Sequence, residues 1–229
     1  MMPVMVTRDD VAKTKGVGFS NVKNFTVERY GQDGWEQVLA RLTQSERDEL
    51  ASIVAVGWYS LPFYAKLIRV IDQVHGYGDL GLLLQLGRYE AEKDLTTLHR
   101  MLLRLASPAY AVEKTAEYWR RFHDTGTWTM TREGDSQLRG SLEGWGCVDV
   151  ALCRELQGYL TRSMELVGAK NVVVDHVRCR TKGEPTCIFV GKWGRLANAS
   201  LPPPPGSAPS SRASATSEAG ASSPSAKAR

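Results

Sequence analysis

The sequence predicts an α+β domain, with helices first and then a ββαββ unit forming an antiparallel sheet. Three observations carry this. Apolar residues recur at helical spacing from the N-terminal part to about Phe122. Beyond Gly126 the chain turns to short β-branched and aromatic runs separated by turn residues, "TWTMTRE", "QLRGSLEGW", "NVVVDHVRC" and "CIFVGKW". A single amphipathic stretch, Cys147 to Val167, interrupts those runs and supplies the helix of the unit.

Each element follows from local signals. Phe19, Val22 and Phe25 fall at threes in "VGFSNVKNFTVE", as in a short amphipathic helix or an irregular arm. "GWEQVLARL" places Trp35, Val38, Leu39 and Leu42 on one helical face. Thr43 and Glu46 have the form of a capping box, followed by Leu50, Ile53 and Val54 on one face. Ser60 and Pro62 open "FYAKLIRVIDQVHG", which Gly76 closes. Asp79 is placed to cap a run from Leu80 to Leu105, and Ser107-Pro108 starts a further helix that stops by Gly126. Glu90 and Asp94 stand four apart, but Arg88 and Lys93 surround them, so this face is expected to be exposed. The organisation is an arm over residues 1–16, one domain over 17–200 and a tail over 201–229. That tail, rich in Pro, Ser and Ala, lacks the apolar surface to offset its ordering entropy and is expected to be disordered.

Composition excludes several classes. Of the net charge of +4, Arg212, Lys227 and Arg229 against Glu218 place +2 in the tail. The remaining field is too weak for a nucleic-acid partner. No apolar run is long enough to span a membrane, and the N-terminus lacks a signal-peptide core, so a cytoplasmic location is expected. Nucleophile-elbow, phosphate-loop and His-Glu-x-x-His signatures are missing, and we expect no enzyme. His75 and His123 sit at helix ends, where an imidazole can bond the last carbonyls.

The most specific stretch is "DHVRCRTKGEPTCIFVGKW". With Gly183 at the turn, Cys179 and Cys187 oppose each other across a hairpin, close enough to share a metal or form a disulfide. Two buried small hydrophobes would serve equally as packing. His176, three before Cys179, points to the opposite face of a regular strand and needs a bulge to join it, whereas Asp175 shares the cysteine face as a reserve ligand. Cys147 and Cys153 are six apart on a helix and do not face the same way.

The segment "CRELQGYL…HVRCRTKGEPTCIFVGKW" resembles the C-terminal half of 4-vinyl-reductase-type sensor domains, which share a Bet3-like fold with vesicle-tethering subunits. The resemblance covers about 140–193. Cys153 is followed by Gly158-Tyr159, Cys179 and Cys187 keep the family's seven-residue gap, Phe189 supplies its aromatic, and His176 stands where the family has an acidic ligand. It implies a structural zinc held by Cys153, His176, Cys179 and Cys187, with Cys147 a buried bystander. It also implies a pocket for a small apolar or aromatic ligand at the helix-to-sheet junction, near Trp119, Phe122, Trp128 and Trp145. The expected function is a bacterial signalling or regulatory domain, a homodimer relaying to a separate output protein. A Bet3-like scaffold subunit without a small ligand is the alternative.

"ERYGQDGWEQVLARL" and "LTTLHRMLLRLASPAY" are similar to segments of haem nitric-oxide-binding domains. That second resemblance implies a haem-based gas sensor with His99 as proximal ligand. The family's Tyr-x-Ser-x-Arg motif for the haem propionates is absent; Tyr159-Leu160-Thr161-Arg162 has the wrong spacing.

Overall fold

The computed structural model describes residues 11–95 and 108–194. The proposed tail and His99 lie outside the described residues. The order is β1 (Lys13–Lys15), α1 (Gly16–Leu39), α2 (Gln44–Ser52), β2 (Trp58–Ser60), α3 (Leu61–His75), α4 (Gly81–Asp94), α5 (Pro108–Phe122), β3 (Thr127–Arg132), β4 (Gln137–Glu143), α6 (Val150–Leu166), β5 (Lys170–Arg178) and β6 (Cys187–Gly194). The architecture is α+β, with the helices first and the antiparallel ββαββ sheet following, as the periodicities predict.

Helix ends follow the chemistry of their caps. Thr43 and Glu46 form a reciprocal capping box at α2. Ser60 Oγ accepts from the Phe63 amide at 3.2 Å, and Asp149 Oδ1 accepts from Ala151 N at 2.7 Å. The Asp149 cap starts α6 three residues later than the apolar pattern suggested and leaves Cys147 outside the helix. The two apolar stretches before Thr43 merge into α1, which kinks at Gly31 (φ 74°), a conformation glycine reaches without penalty. Against expectation, α2 buries no residue: Ile53 and Val54 fall beyond its end, and Val54 is exposed. Buried Asp72 fixes the α3–α4 turn, accepting from the amides of Leu80 at 2.9 Å and Leu82 at 3.2 Å. These bonds satisfy orphan donors at the start of α4.

β1 and β2 pair as a short antiparallel ribbon beside the α1–α3 layer. The four-stranded sheet runs β3-β4-β6-β5, all antiparallel. Phe19, Phe25, Leu67, Ile68, Leu83 and Leu86 from the helices share one core with Leu142, Leu152 and Phe189. α6 lies across α4 with two glycines at the contact. A Cβ on Gly87 would stand 1.9 Å from Glu155 O, and one on Gly158 2.1 Å from Leu84 O. The backbones are therefore packed directly against each other, which fixes what α4 and α6 present beneath. Among the described residues, no helix is long and apolar enough to cross a membrane.

Candidate functional site

Two constellations stand out. The first is the thiol cluster. β5 is bulged between His176 and Arg178, so that two residues advance on β5 while β6 advances one, from Phe189 to Ile188. The bulge turns Cys179 to the side of His176 and removes the parity conflict that a regular strand would impose. Cys153 comes from α6, Cys179 from the end of β5 and Cys187 from the start of β6. The Cys153, His176, Cys179 and Cys187 ligand atoms all lie within 4.8 Å of one another. The three thiols are buried, and His176 stacks on Phe189 with ring centroids 4.3 Å apart. Its Nε2 is buried with no hydrogen-bond partner. Asp175 is exposed on the other side of the strand and takes no part.

Cys153 and Cys187 sulfurs are 3.8 Å apart. The hydrogen bond from Cys153 lowers the Cys187 thiol to about 4, helped by His176 and the Arg180 amide. The same bond, with burial, pushes Cys153 up. One proton is thus shared between them, with Cys187 the thiolate. Three sulfurs and an imidazole converging in a buried pocket form a donor set suited to a thiophilic cation, with all four tetrahedral positions filled by protein. Cys147, half-buried, is not among them.

The second constellation is a cavity of about 560 Å³ between α1, α3–α6 and the inner face of the sheet. Trp119, Phe122, Trp128 and Trp145 all line it. Trp119 stacks near Trp128 (6.0 Å, 18°) and meets Trp145 edge-on (5.1 Å, 73°). His123 lies against Trp119 at 4.1 Å and Trp145 at 5.2 Å, at the cavity wall. Its Nδ1 has no partner, and burial lowers the imidazole to about 3, so it is neutral.

Elsewhere on the wall is a group of carboxyls. The Tyr64 hydroxyl on α3 donates to Glu90 on α4 at 2.9 Å and lies against Glu155 on α6. Burial raises Glu90 well above the usual carboxylate range, reinforced by the charge of Glu155. Glu155 is also raised by burial, but the hydrogen bonds it accepts from Glu90 and Tyr64 pull the other way. Glu90 therefore holds the proton. Asp94, bonded by Asn21 at 3.3 Å and by Tyr159, is pushed up by burial to about 6.

The sequence reading missed this cluster. Glu90 is only 6% exposed, and Arg88 and Lys93 turn away from it to Glu165 and Glu28. The available signal was spacing: Leu83, Leu86, Gly87, Glu90 and Asp94 repeat at threes and fours, which places both acids on the inward stripe.

No family model and no curated relative matches the chain. Solved structures do. An H-NOX protein from S. oneidensis in the Fe(II) state matches with a TM-score of 0.62 at 14% identity, over 80% of this chain and 98% of that one. An unliganded Fe(II) H-NOX protein from K. algicida gives 0.61 at 10% identity, over 80% and 98%. The H-NOX domain of Shewanella woodyi gives 0.56 at 15%, over 81% and 97%. At these identities the likeness establishes the fold alone. It corrects the family reading: the architecture is that of the second resemblance, the haem nitric-oxide-binding domains, and the 4-vinyl-reductase-type, Bet3-like assignment is not supported. The expectation of a zinc-stapled sensor for an apolar or aromatic effector, with zinc as the fold's cofactor, is overturned with it, since the neighbours are haem proteins. The misreading has a physical source: a short α6–β5–β6 cysteine pattern outweighed the arrangement of the whole chain.

Proposed function

We propose that this chain is a sensor domain on the haem nitric-oxide-binding fold, which holds its sensing group or effector in the aromatic cavity and relays the change to a separate partner protein. The observation that supports this most directly is the cavity itself. About 560 Å³ of space with mainly apolar walls lies between the helical half and the sheet, in the range of ligand-binding pockets.

Haem is the group that the H-NOX neighbours carry. The volume and the aromatic walls suit a porphyrin, and His123, whose buried Nδ1 has no partner, stands on the described wall. The charge does not suit it. A haem brings two carboxylates, whereas the wall already holds Glu90, Asp94 and Glu155. Its described basic residues are engaged: Lys15 with the Val56 carbonyl at 2.9 Å, Lys114 and Arg121 with Glu117, and Arg132 with Asp135. Among the described residues, therefore, the wall does not fit haem's acidic edge. Titration of the purified chain with hemin tests this, and we expect no Soret band of a bound haem. A band that shifts with carbon monoxide, and is lost in His99→Ala or His123→Ala, would make the chain a haem-based gas sensor.

The thiol cluster supports a second reading. Cys153, His176, Cys179 and Cys187 are proposed as one metal-ligating set, carried by their convergence within 4.8 Å and the unpartnered His176 nitrogen. An ion there would tie α6 to the β5–β6 hairpin, and its binding energy would add to folding energy. Elemental analysis under reducing conditions should find about one thiophilic ion per chain. Cys187→Ser should lose the ion and several kcal/mol of stability. A metal-free parent, or a Cys187→Ser variant as stable as the parent, would remove the proposal.

A further inference from the structure

Asp94, Glu90 and Glu155 all line the cavity, and among the described residues none of them has a cationic partner. Asp94, at about 6, is ionised at neutral pH, and its bonding partners Asn21 and Tyr159 are neutral. A half-buried negative charge with no counter-ion among the described residues is costly, and a cation relieves it. The same cavity presents tryptophan rings, the best faces for a cation. Three of its wall residues each carry a buried polar atom with no partner: Trp145 Nε1, on a residue only 4% exposed, along with His123 Nδ1 and Ser163 Oγ.

We infer that the cavity takes a small organic cation, a protonated amine on an apolar or aromatic body, with its charge set against Asp94 and Glu155 and its body among the tryptophans. This rests on the sensor reading above and names the class of ligand. A neutral guest would leave the Asp94 charge uncompensated, and a carboxylate would add a like charge to the cluster. The wall thus discriminates by charge as well as by shape, as specificity through unfavourable pairings requires.

The test is isothermal titration calorimetry on the full chain at pH 7.5 with two matched sets of probes. One set is tryptamine, 3-propylindole and indole-3-propionate; the other is phenethylamine, propylbenzene and 3-phenylpropionate. The amine of at least one set should bind roughly tenfold or more tightly than its neutral and anionic counterparts, the scale of one compensated charge. In Asp94→Asn/Glu155→Gln, checked for retained fold by circular dichroism, that preference should vanish. Equal binding of the three members, tighter binding of the carboxylate or of hemin, or a preference that survives in the double variant would overturn the inference. If no probe of any charge binds the folded parent, the cavity reading itself fails and the inference falls with it.

Discussion

Gly87→Ala is expected to be among the most destabilising single-methyl additions in the molecule. On an isolated helix the change would help, because alanine is favoured over glycine by about 1 kcal/mol. Here the new methyl would lie 1.9 Å from Glu155 O and 2.8 Å from Tyr159 N, both backbone atoms of α6. No side-chain rotation relieves such a contact, so α4 and α6 must move apart. Gly158 meets the Leu84 carbonyl from the other side, leaving no slack at the crossing. Overpacking against flexible side chains costs about 1–3 kcal/mol, and against rigid backbone the upper end or more applies. At about 2–4 °C per kcal/mol for a chain of this size, thermal unfolding should fall by about 10 °C. The separation would also draw Glu155 away from Tyr64 and disturb the wall of the cavity. A Tm within about 2 °C of the parent would show that α4 and α6 are not in backbone contact.

What the sequence made legible was local. The Thr43/Glu46 box, Ser60 with Pro62, and the β-branched runs on either side of Gly183 each contain their signal within a few residues, and the elements form there. Legibility failed where the outcome depended on distant partners. A regular strand separates His176 from Cys179, and only the slip against β6 shows that β5 is bulged. Glu90 looked solvent-facing because its neighbours in sequence are charged, yet Arg88 and Lys93 find Glu165 and Glu28 instead. Asp72 gave no local hint that it would close the turn into α4 from inside the core. Family inference erred for a related reason. Cysteine spacing is a property of one hairpin and one helix, whereas the likeness to the H-NOX structures is one of fold, carried by the order and packing of elements along the whole described chain.

Glu90→Gln should stabilise the protein, and should do so only above acid pH. Glu90 lies in the core with its proton retained by burial and by the charge of Glu155, while Tyr64 donates to it. A carboxyl raised in the folded state contributes stability that is fully present below its unfolded value, about 4.3. That stability is lost as pH rises towards the folded value, because the unfolded chain gives up the proton first. The parent therefore weakens steadily from mildly acid to alkaline pH. Asp94 adds to the decline: pushed up to about 6 by burial, it accounts for about 3 kcal/mol lost between roughly pH 4 and 6. Glutamine at 90 imitates the protonated acid, with an amide to donate to Glu155 and an oxygen to accept from Tyr64, and it cannot ionise in either state. At pH 4 the variant and parent should unfold at nearly the same temperature. The gap should open as pH rises and persist at pH 8, each kcal/mol appearing as about 2–4 °C, while the Asp94 slope remains in both. Thermal melts at half-unit intervals of pH check this. A gap that does not change with pH, or a parent that is the more stable at pH 8, would mean that Glu90 is ionised in the folded protein and that a cation already balances it.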